Sequence, residues 1–328
     1  MSAMTAQPGV TIFKDELVAL ASKYKILVPV ANPATLDDLL DLATSLAKER
    51  KGEVVALHVV ETENGFPADE ERVSASARRT ILEQMVAGRR RTSVPIHTVT
   101  RIDHSAADGI VSMAREDGYS LILLGWQGRM RPVSLGSSLG EVLDPVVKNA
   151  PCSVAVVKNP RLGNVRRILV PTAGGPHAAL ALELALMLAH RFHAQVTLLN
   201  IAKKGQEEAG RRIIERTLQQ VKTRQTVQQQ VVVADHVVKG ILRETRDYDV
   251  VILGASQEGI FQQILFGVIP EQVAKRCTKT VIMVKGAHGP LVTGLRRLWT
   301  RWSSFKPGTN PTNGSPKGGT ATSPRGRG

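Results

Sequence analysis

Residues Leu121–Lys158 read LILLGWQGRMRPVSLGSSLGEVLDPVVKNAPCSVAVVK. An apolar run ends at Gly125 and a glycine-containing loop follows. Helical spacing resumes at Ser137, and a second apolar run, Ser153–Lys158, closes the unit. Short apolar runs flanking a helix are what strands buried on both faces require. In α/β proteins a strand, a glycine loop and a helix in that order often hold a phosphate. Loop N–H groups and the helix N-terminus both face the anion. The spacing predicts a helix over Ser137–Lys148, opened by Gly136-Ser137-Ser138.

Upstream the same alternation holds. Lys25–Val30 (KILVPV) reads as a strand. Pro33–Arg50 has helical spacing through Leu36, Leu39, Leu40, Ala43, Leu46 and Ala47, with Asp37, Asp38 and Asp41 in its early turns. Strands are predicted at Glu53–Val60, Val94–Arg101 and Tyr119–Leu124, with helices over Asp69–Gly88 and Ser105–Glu116 between them. Strands that alternate with helices imply a parallel sheet with right-handed crossovers. Residues 1–23 read as a leader with one amphipathic turn around Phe13, Leu17 and Leu20.

Downstream the pattern repeats. Ile168–Thr172 echoes Ile26–Val30, Leu199–Ile201 echoes Leu57–Val59, Ile252–Gly254 echoes Leu123–Gly125, and Val281–Lys285 echoes Val154–Lys158. Cys152 and Cys277 each lie shortly before the last strand of their half. Repetition in order implies a duplicated domain. The divisions are 24–158 and 166–286, joined by a short linker, 159–165 (NPRLGNV). So short a linker predicts halves that pack closely.

The chain has 328 residues, 42% hydrophobic and only 4% aromatic, so its core is aliphatic. No apolar run approaches the ~18 residues of a membrane span, and the N-terminal residues lack the pattern of a secretory signal. Two cysteines exclude a disulfide framework and point to a cytoplasmic setting. The net charge of +14 is concentrated at the end: 286–328 contain Arg296, Arg297, Arg301, Lys306, Lys317, Arg325 and Arg327 and no acid. That distribution argues against a nucleic-acid-binding body. Within 287–306, Leu291, Leu295, Leu298, Trp299, Trp302 and Phe305 recur at helical spacing among the basic residues. This basic amphipathic segment suits an anionic membrane surface, and equally an apolar face docked on the module. Residues 307–328 are low-complexity and predicted to be disordered.

The repeated ILVP start, the strand-to-glycine-loop step, Leu-Gly-Ser-Ser and Ala-Pro-Cys-Ser-Val-Ala-Val-Val together resemble the universal stress protein family in its tandem form, over residues 24–286. VPVANPAT, LLGWQGR and GASQEGIFQQILFGVIPEQVAKR are similar to the soluble domains at the C-termini of amino-acid permeases and cation/proton antiporters. The chain resembles such a cytosolic module, standing alone or cut from a longer chain. The resemblance implies two Rossmann-like α/β domains of the adenine-nucleotide alpha-hydrolase type. Each is a five-stranded parallel sheet, order 3-2-1-4-5, with helices on both faces. It also implies an internal pseudo-dimer joined through the fifth strands.

A ligand is expected where the strand order reverses. In domain 1 that places Pro29, Val30, Ala31 and Asn32 opposite Gly125, Gly128, Gly136, Ser137 and Ser138. In domain 2 it places Pro171, Thr172 and Ala173 opposite Gly254 and Gly267. Nucleotide-binding members of the family carry Gly-x2-Gly-x9-Gly-(Ser/Thr). Here Gly136-Ser137 follows Gly128 after seven residues, two short of that spacing. In domain 2, Gln257 replaces the middle glycine and Val268 the hydroxyl residue. Ala31 and Ala173 stand where such members have an Asp. The implied ligand is ATP or AMP in domain 1, with domain 2 degenerate. The same glycines equally serve a tight turn without any ligand, and Ser137 or Ser138 a plain helix N-cap. Arg129 and Arg131 read as a solvated loop.

His190 and His193 lack further ligands at metal spacing and read as capping or surface residues. No nucleophile–base–orienter set is present, so no catalytic residue is assigned. Two functions follow as expectations. One is a non-enzymatic stress-response module that binds an adenine nucleotide. The other is a ligand-free interaction module that regulates a membrane transporter from the cytoplasmic membrane surface.

Overall fold

The structure is a computed structural model. It describes residues 4–5, 11–14, 24–30, 33–62, 76–77, 80, 83–84, 86–87, 93–129, 131–133, 136–256 and 265–287. Ala31, Asn32, Gln257, most of the expected 69–88 helix and everything beyond 287 lie outside the described residues.

Five parallel strands form the first half: β3 (Lys25–Pro29), β4 (Glu53–Glu61), β5 (Ile96–Asp103), β6 (Leu121–Trp126) and β9 (Ser153–Lys158). They are ordered β5-β4-β3-β6-β9, which is 3-2-1-4-5. The second half repeats this with β10 (Arg167–Pro171), β11 (Gln195–Ala202), β12 (Val227–Val233), β13 (Val250–Gly254) and β14 (Thr280–Lys285). The fold class read from the sequence is therefore the one observed. The two sheets are continuous: β9 and β14 pair antiparallel from Val281↔Lys158 to Lys285↔Val154, giving a single 12-stranded sheet. Val156 pairs with Met283, its own counterpart in the second half. The join thus has a local pseudo-twofold at that pair.

The remaining two strands of the sheet come from the N-terminal residues. β2 (Thr11–Lys14) pairs antiparallel with β5, and β1 (Met4–Thr5) pairs with β2. Phe13, expected in a helical turn, is in a strand.

Successive strand residues bury on opposite faces. Ile26 and Val28 enter one apolar layer, which holds α1 (Pro33–Glu49), α4 (Pro176–Phe192) and Ile214 of α5 (Glu207–Gln220). Leu27 enters the other, with α2 (Ala106–Glu116), α3 (Leu143–Asn149), α6 (Val237–Glu244) and α7 (Val268–Arg276). Ser105 caps α2, accepting from Asp108 N at 3.1 Å, while the early acids of α1 fall after its first turn. His190 Nδ1 lies 2.7 Å from Glu49, tying α4 to α1, and His193 is the left-handed C-cap of α4. Cys152 directly precedes β9, and burial pushes its thiol up to about 12. Cys277 is the C-cap of α7, so the two cysteines are not structural counterparts.

Candidate functional site

The strand order reverses between β3 and β6. These strands are in register only at Ile26↔Leu121 and Leu27↔Ile122, so they part before Pro29 and Gly125. The crevice between their carboxyl ends is a cavity of ≈ 970 Å³. Pro29, Val30, Leu39, Gly125, Trp126 and Gln127 form its first-half wall. Thr35, Leu36 and Asp38 of α1 line it as well, and the linker residues Asn159–Val165 with Asp249 and Thr278–Thr280 of the second half complete it.

Several contacts fix these walls. Trp126 Nε1 donates to Arg129 O at 3.0 Å, which holds the loop after β6. Thr280 Oγ1 contacts Asn159 O at 2.6 Å and Arg161 O at 3.1 Å, and Asn159 has a left-handed φ of 51°. Leu162 and Val165 are buried in the core. The linker is therefore a built wall of the site. Asp249 accepts from the N–H groups of Arg166 and Arg167 at 2.8 and 2.9 Å. Gly128 has φ 79°, a conformation that favours glycine, and a Cβ there would lie 2.7 Å from Lys158 Cε and push that side chain aside.

The glycine loop departs from expectation. Gly136–Ser138 forms strand β8, paired antiparallel with β7 (Arg131–Val133), in place of the start of a helix. The helix begins only at Leu143. Ser137 and Ser138 are therefore not its N-cap. The position that matches Gly267 is Gly140. Both have positive φ, 137° and 101°. Both carbonyls accept from an acid in the first helical turn: Asp144 N to Gly140 O at 3.1 Å, Glu271 N to Gly267 O at 3.2 Å. Each acid also takes the N–H before its glycine, Leu139 N to Asp144 Oδ1 at 2.8 Å and Phe266 N to Glu271 Oε1 at 3.2 Å. Glu141 and Val268 follow the two glycines, so neither half has the hydroxyl. The loop measured to Gly140 is longer than the family spacing, where Gly136 makes it shorter.

Sequence reasoning missed Gly140, Asp144, Glu271 and the linker wall. The usable signal was distance to the last strand. Gly140 stands as far ahead of Ser153 as Gly267 does of Thr280.

The second-half residues come together in a different way. β10 and β13 also part after two register pairs. However, Gly254 lies against the first turn of α4: a Cβ there would be 2.5 Å from His177 C and O. Thr172 is buried and fully engaged. Its Oγ1 accepts from Gly174 N and contacts Thr217 Oγ1, both at 3.0 Å, and its carbonyl accepts from Asn200 Nδ2 at 2.9 Å. Ser256 fills the space beside Gly267. The strand ends that are open in the first half are packed here. Ala173 is exposed beside them. Among the described residues, no group of three or more His, Cys, Asp or Glu is placed to hold a metal.

Comparison with known proteins agrees with this architecture. Residues 24–158 and 164–285 each match the model of the universal stress protein family. The Na(+)/H(+) antiporter NhaS5 of Synechocystis sp. (strain ATCC 27184 / PCC 6803 / Kazusa) is 27% identical over 273 residues, which is 80% of this chain and 38% of the antiporter. The chain thus spans well under half of that relative. A universal stress protein from Archaeoglobus fulgidus DSM 4304 is similar with a TM-score of 0.54 at 18% identity, covering 81% of this chain and 98% of that one. The cytoplasmic domain of a prokaryotic cation chloride cotransporter is similar with a TM-score of 0.54 at 15% identity, covering 81% and 96%. These two structural likenesses concern the fold alone. Two successive matches over most of the sequence, each on a complete 3-2-1-4-5 sheet, establish that the chain belongs to the universal stress protein family and carries two of its domains in tandem.

Proposed function

We propose that this protein is a non-enzymatic regulatory module that binds an adenine nucleotide in its first half through the adenosine moiety. The carrying observation is the ≈ 970 Å³ cavity at the first-half switch point, between Pro29-Val30 and Gly125. Its volume is in the range of small-molecule sites, and its place is where open α/β sheets bind ligands. The phosphates gain little there. Glu141 follows Gly140, Asp144 occupies the loop N–H, and the seven residues of α3 make a weak helix N-terminus. The base and ribose then carry the affinity, and AMP is a better ligand than ATP. Because the linker and Thr278–Thr280 wall the site, occupancy is sensed by both halves. A mass spectrum of natively purified protein tests this: a co-purifying adenosine or AMP supports it, and a spectrum of bare protein even after incubation with millimolar AMP opposes it.

The acids at the glycine loops and the closed second-half site favour a second reading, a ligand-free interaction module. The antiporter relative supports a transporter as its partner. In that reading the module works at the cytoplasmic face of the membrane, with the 291–306 segment on anionic lipid or on the module itself. Co-sedimentation with phosphatidylserine vesicles, with and without residues 289–328, tests the lipid contact. Among the described residues no helix is long and apolar enough to cross a membrane.

A further inference from the structure

The 12-stranded sheet has two ends, and they are built differently. At the first-half end, the third strand of the domain, β5, is covered by β2 in the register Ile12↔Arg101, Phe13↔Thr100 and Lys14↔Val99. The outermost strand there is β1, two residues long. A strand that short blunts an edge. At the second-half end, the equivalent strand β12 is itself outermost among the described strands. Its seven residues, Val227–Val233 (VQQQVVV), run in unbroken register with β11 from Val196↔Val227 to Ala202↔Val233. The strand has no charge, no proline and no bulge, the devices that normally keep an edge from pairing. It is also poorly covered. β5 is buried at all but one position, whereas Gln228, Gln229 and Val233 of β12 are exposed, Val233 at 41%.

We propose that β12 is a dimerisation edge, through which two copies of this chain pair antiparallel about a twofold axis at Gln230. A second copy fits for three reasons. This chain already joins its own halves in this manner: β9 and β14 meet edge to edge, with Val156 opposite its counterpart Met283. An uncharged strand meets itself without like-charge repulsion. Centred on Gln230, the pairing sets Val227 against Val233 and Gln228 against Val232, so that the exposed Val233 is covered by the other copy. Since the described strands leave each chain one open end and one blunted end, the contact is isologous and closes at two copies. The added contact is one strand per chain, and an interface of that size is weak. The dimer therefore dissociates over about 1–100 μM.

The test is sedimentation velocity on the full chain across that range, with three variants. The native chain should shift from monomer to dimer. Gln229→Lys combined with Val233→Lys, both at exposed positions without a side-chain hydrogen bond to the described residues, should stay monomeric with a nearly unchanged melting temperature. Gln230→Cys should give a disulfide-linked dimer under diamide, because the two introduced thiols would face each other across the axis. Gln228→Cys should not, since its two copies are about 13 Å apart along the strands. A native chain that stays monomeric throughout that range overturns the proposal. So does a dimer that the double lysine variant retains. Slow amide hydrogen exchange at Gln228–Val233 in a monomer would assign the edge to another segment of the same chain, and would also overturn it.

Discussion

Lys158 reaches from the end of the first half to the second: its Nζ donates to Cys277 O at 2.8 Å and to Ala274 O at 2.8 Å, closing the C-terminus of α7. Its aliphatic stem lies over Gly128. Lys285 holds the same place at the end of the second half, yet its ammonium makes no hydrogen bond to any of the described residues. Burial alone holds its pKa below 10.5. The two lysines are equivalent in sequence and opposite in energetics.

Lys158→Ala should therefore destabilise the protein by about 1–2 kcal/mol, since it strips a cation from helix-end carbonyls that are partly buried. Chemical denaturation at pH 7 measures this.

Lys285→Met should be stabilising at pH 7. The folded state lowers the pKa of Lys285, so the native chain bears a burial penalty while that lysine is charged. The penalty fades as pH rises through the folded pKa and is gone above the unfolded value near 10.5. The melting-temperature gain of Lys285→Met should thus shrink between pH 7 and pH 10.5. A constant gain would assign it to packing alone.

Arg101 is buried on β5, with Nε 2.9 Å from Asp103 and both terminal nitrogens on Glu116 at 2.8 and 3.0 Å. Arg101→Leu leaves Asp103 buried without its partner and should cost about 3–5 kcal/mol. Arg101→Lys should recover only part of this, because an ammonium cannot serve both carboxylates in the same fork. Urea titration of the pair distinguishes them.

Asp249 closes the linker end of the cavity. Burial pushes its carboxyl up, but the N–H groups of Arg166 and Arg167, with the charges of Lys279 and Arg167, outweigh it and hold the pKa below 3.8. The stability this gives is present above the unfolded pKa and lost as pH falls through the lower folded one. Asp249→Asn should then lower the melting temperature at pH 7, by an amount that shrinks as the pH is taken progressively below 3.8. Scanning calorimetry across that range checks the sign.

Asp144→Asn should improve ATP binding relative to AMP by several-fold, about 1 kcal/mol, by removing a negative charge from the glycine loop. Titration calorimetry with both nucleotides reads the ratio.

The fold was legible because two periodicities recur in the same order in both halves: ILVP opens each sheet, and SVAVVK and TVIMVK close it. Buried parallel strands leave that mark wherever they sit. The glycine loop was less legible. SLGSSLGE contains Leu-Gly twice, and local sequence cannot choose between Gly136 and Gly140. Positive φ and the paired bonds of Asp144 choose the second, and those are tertiary facts. Likewise NPRLGNV reads as a linker by composition. That it walls a cavity depends on Thr280, which is remote in sequence. Gln257 and Val268 mark the second half as degenerate in sequence, whereas the packing of its strand ends comes from His177, Thr172 and Ser256, which that motif does not contain.

The most direct test of the account is the affinity order of adenosine, AMP and ATP for the full chain by titration calorimetry, beside Gly125→Val. A valine there would collide with Leu39, whose Cδ1 would lie only 3.0 Å from the new Cβ, and would fill the cavity mouth. Adenosine and AMP should bind within a few-fold of each other, ATP should bind no tighter, and Gly125→Val should abolish all three. Absence of binding by all three, or an affinity that climbs with each added phosphate, would contradict it.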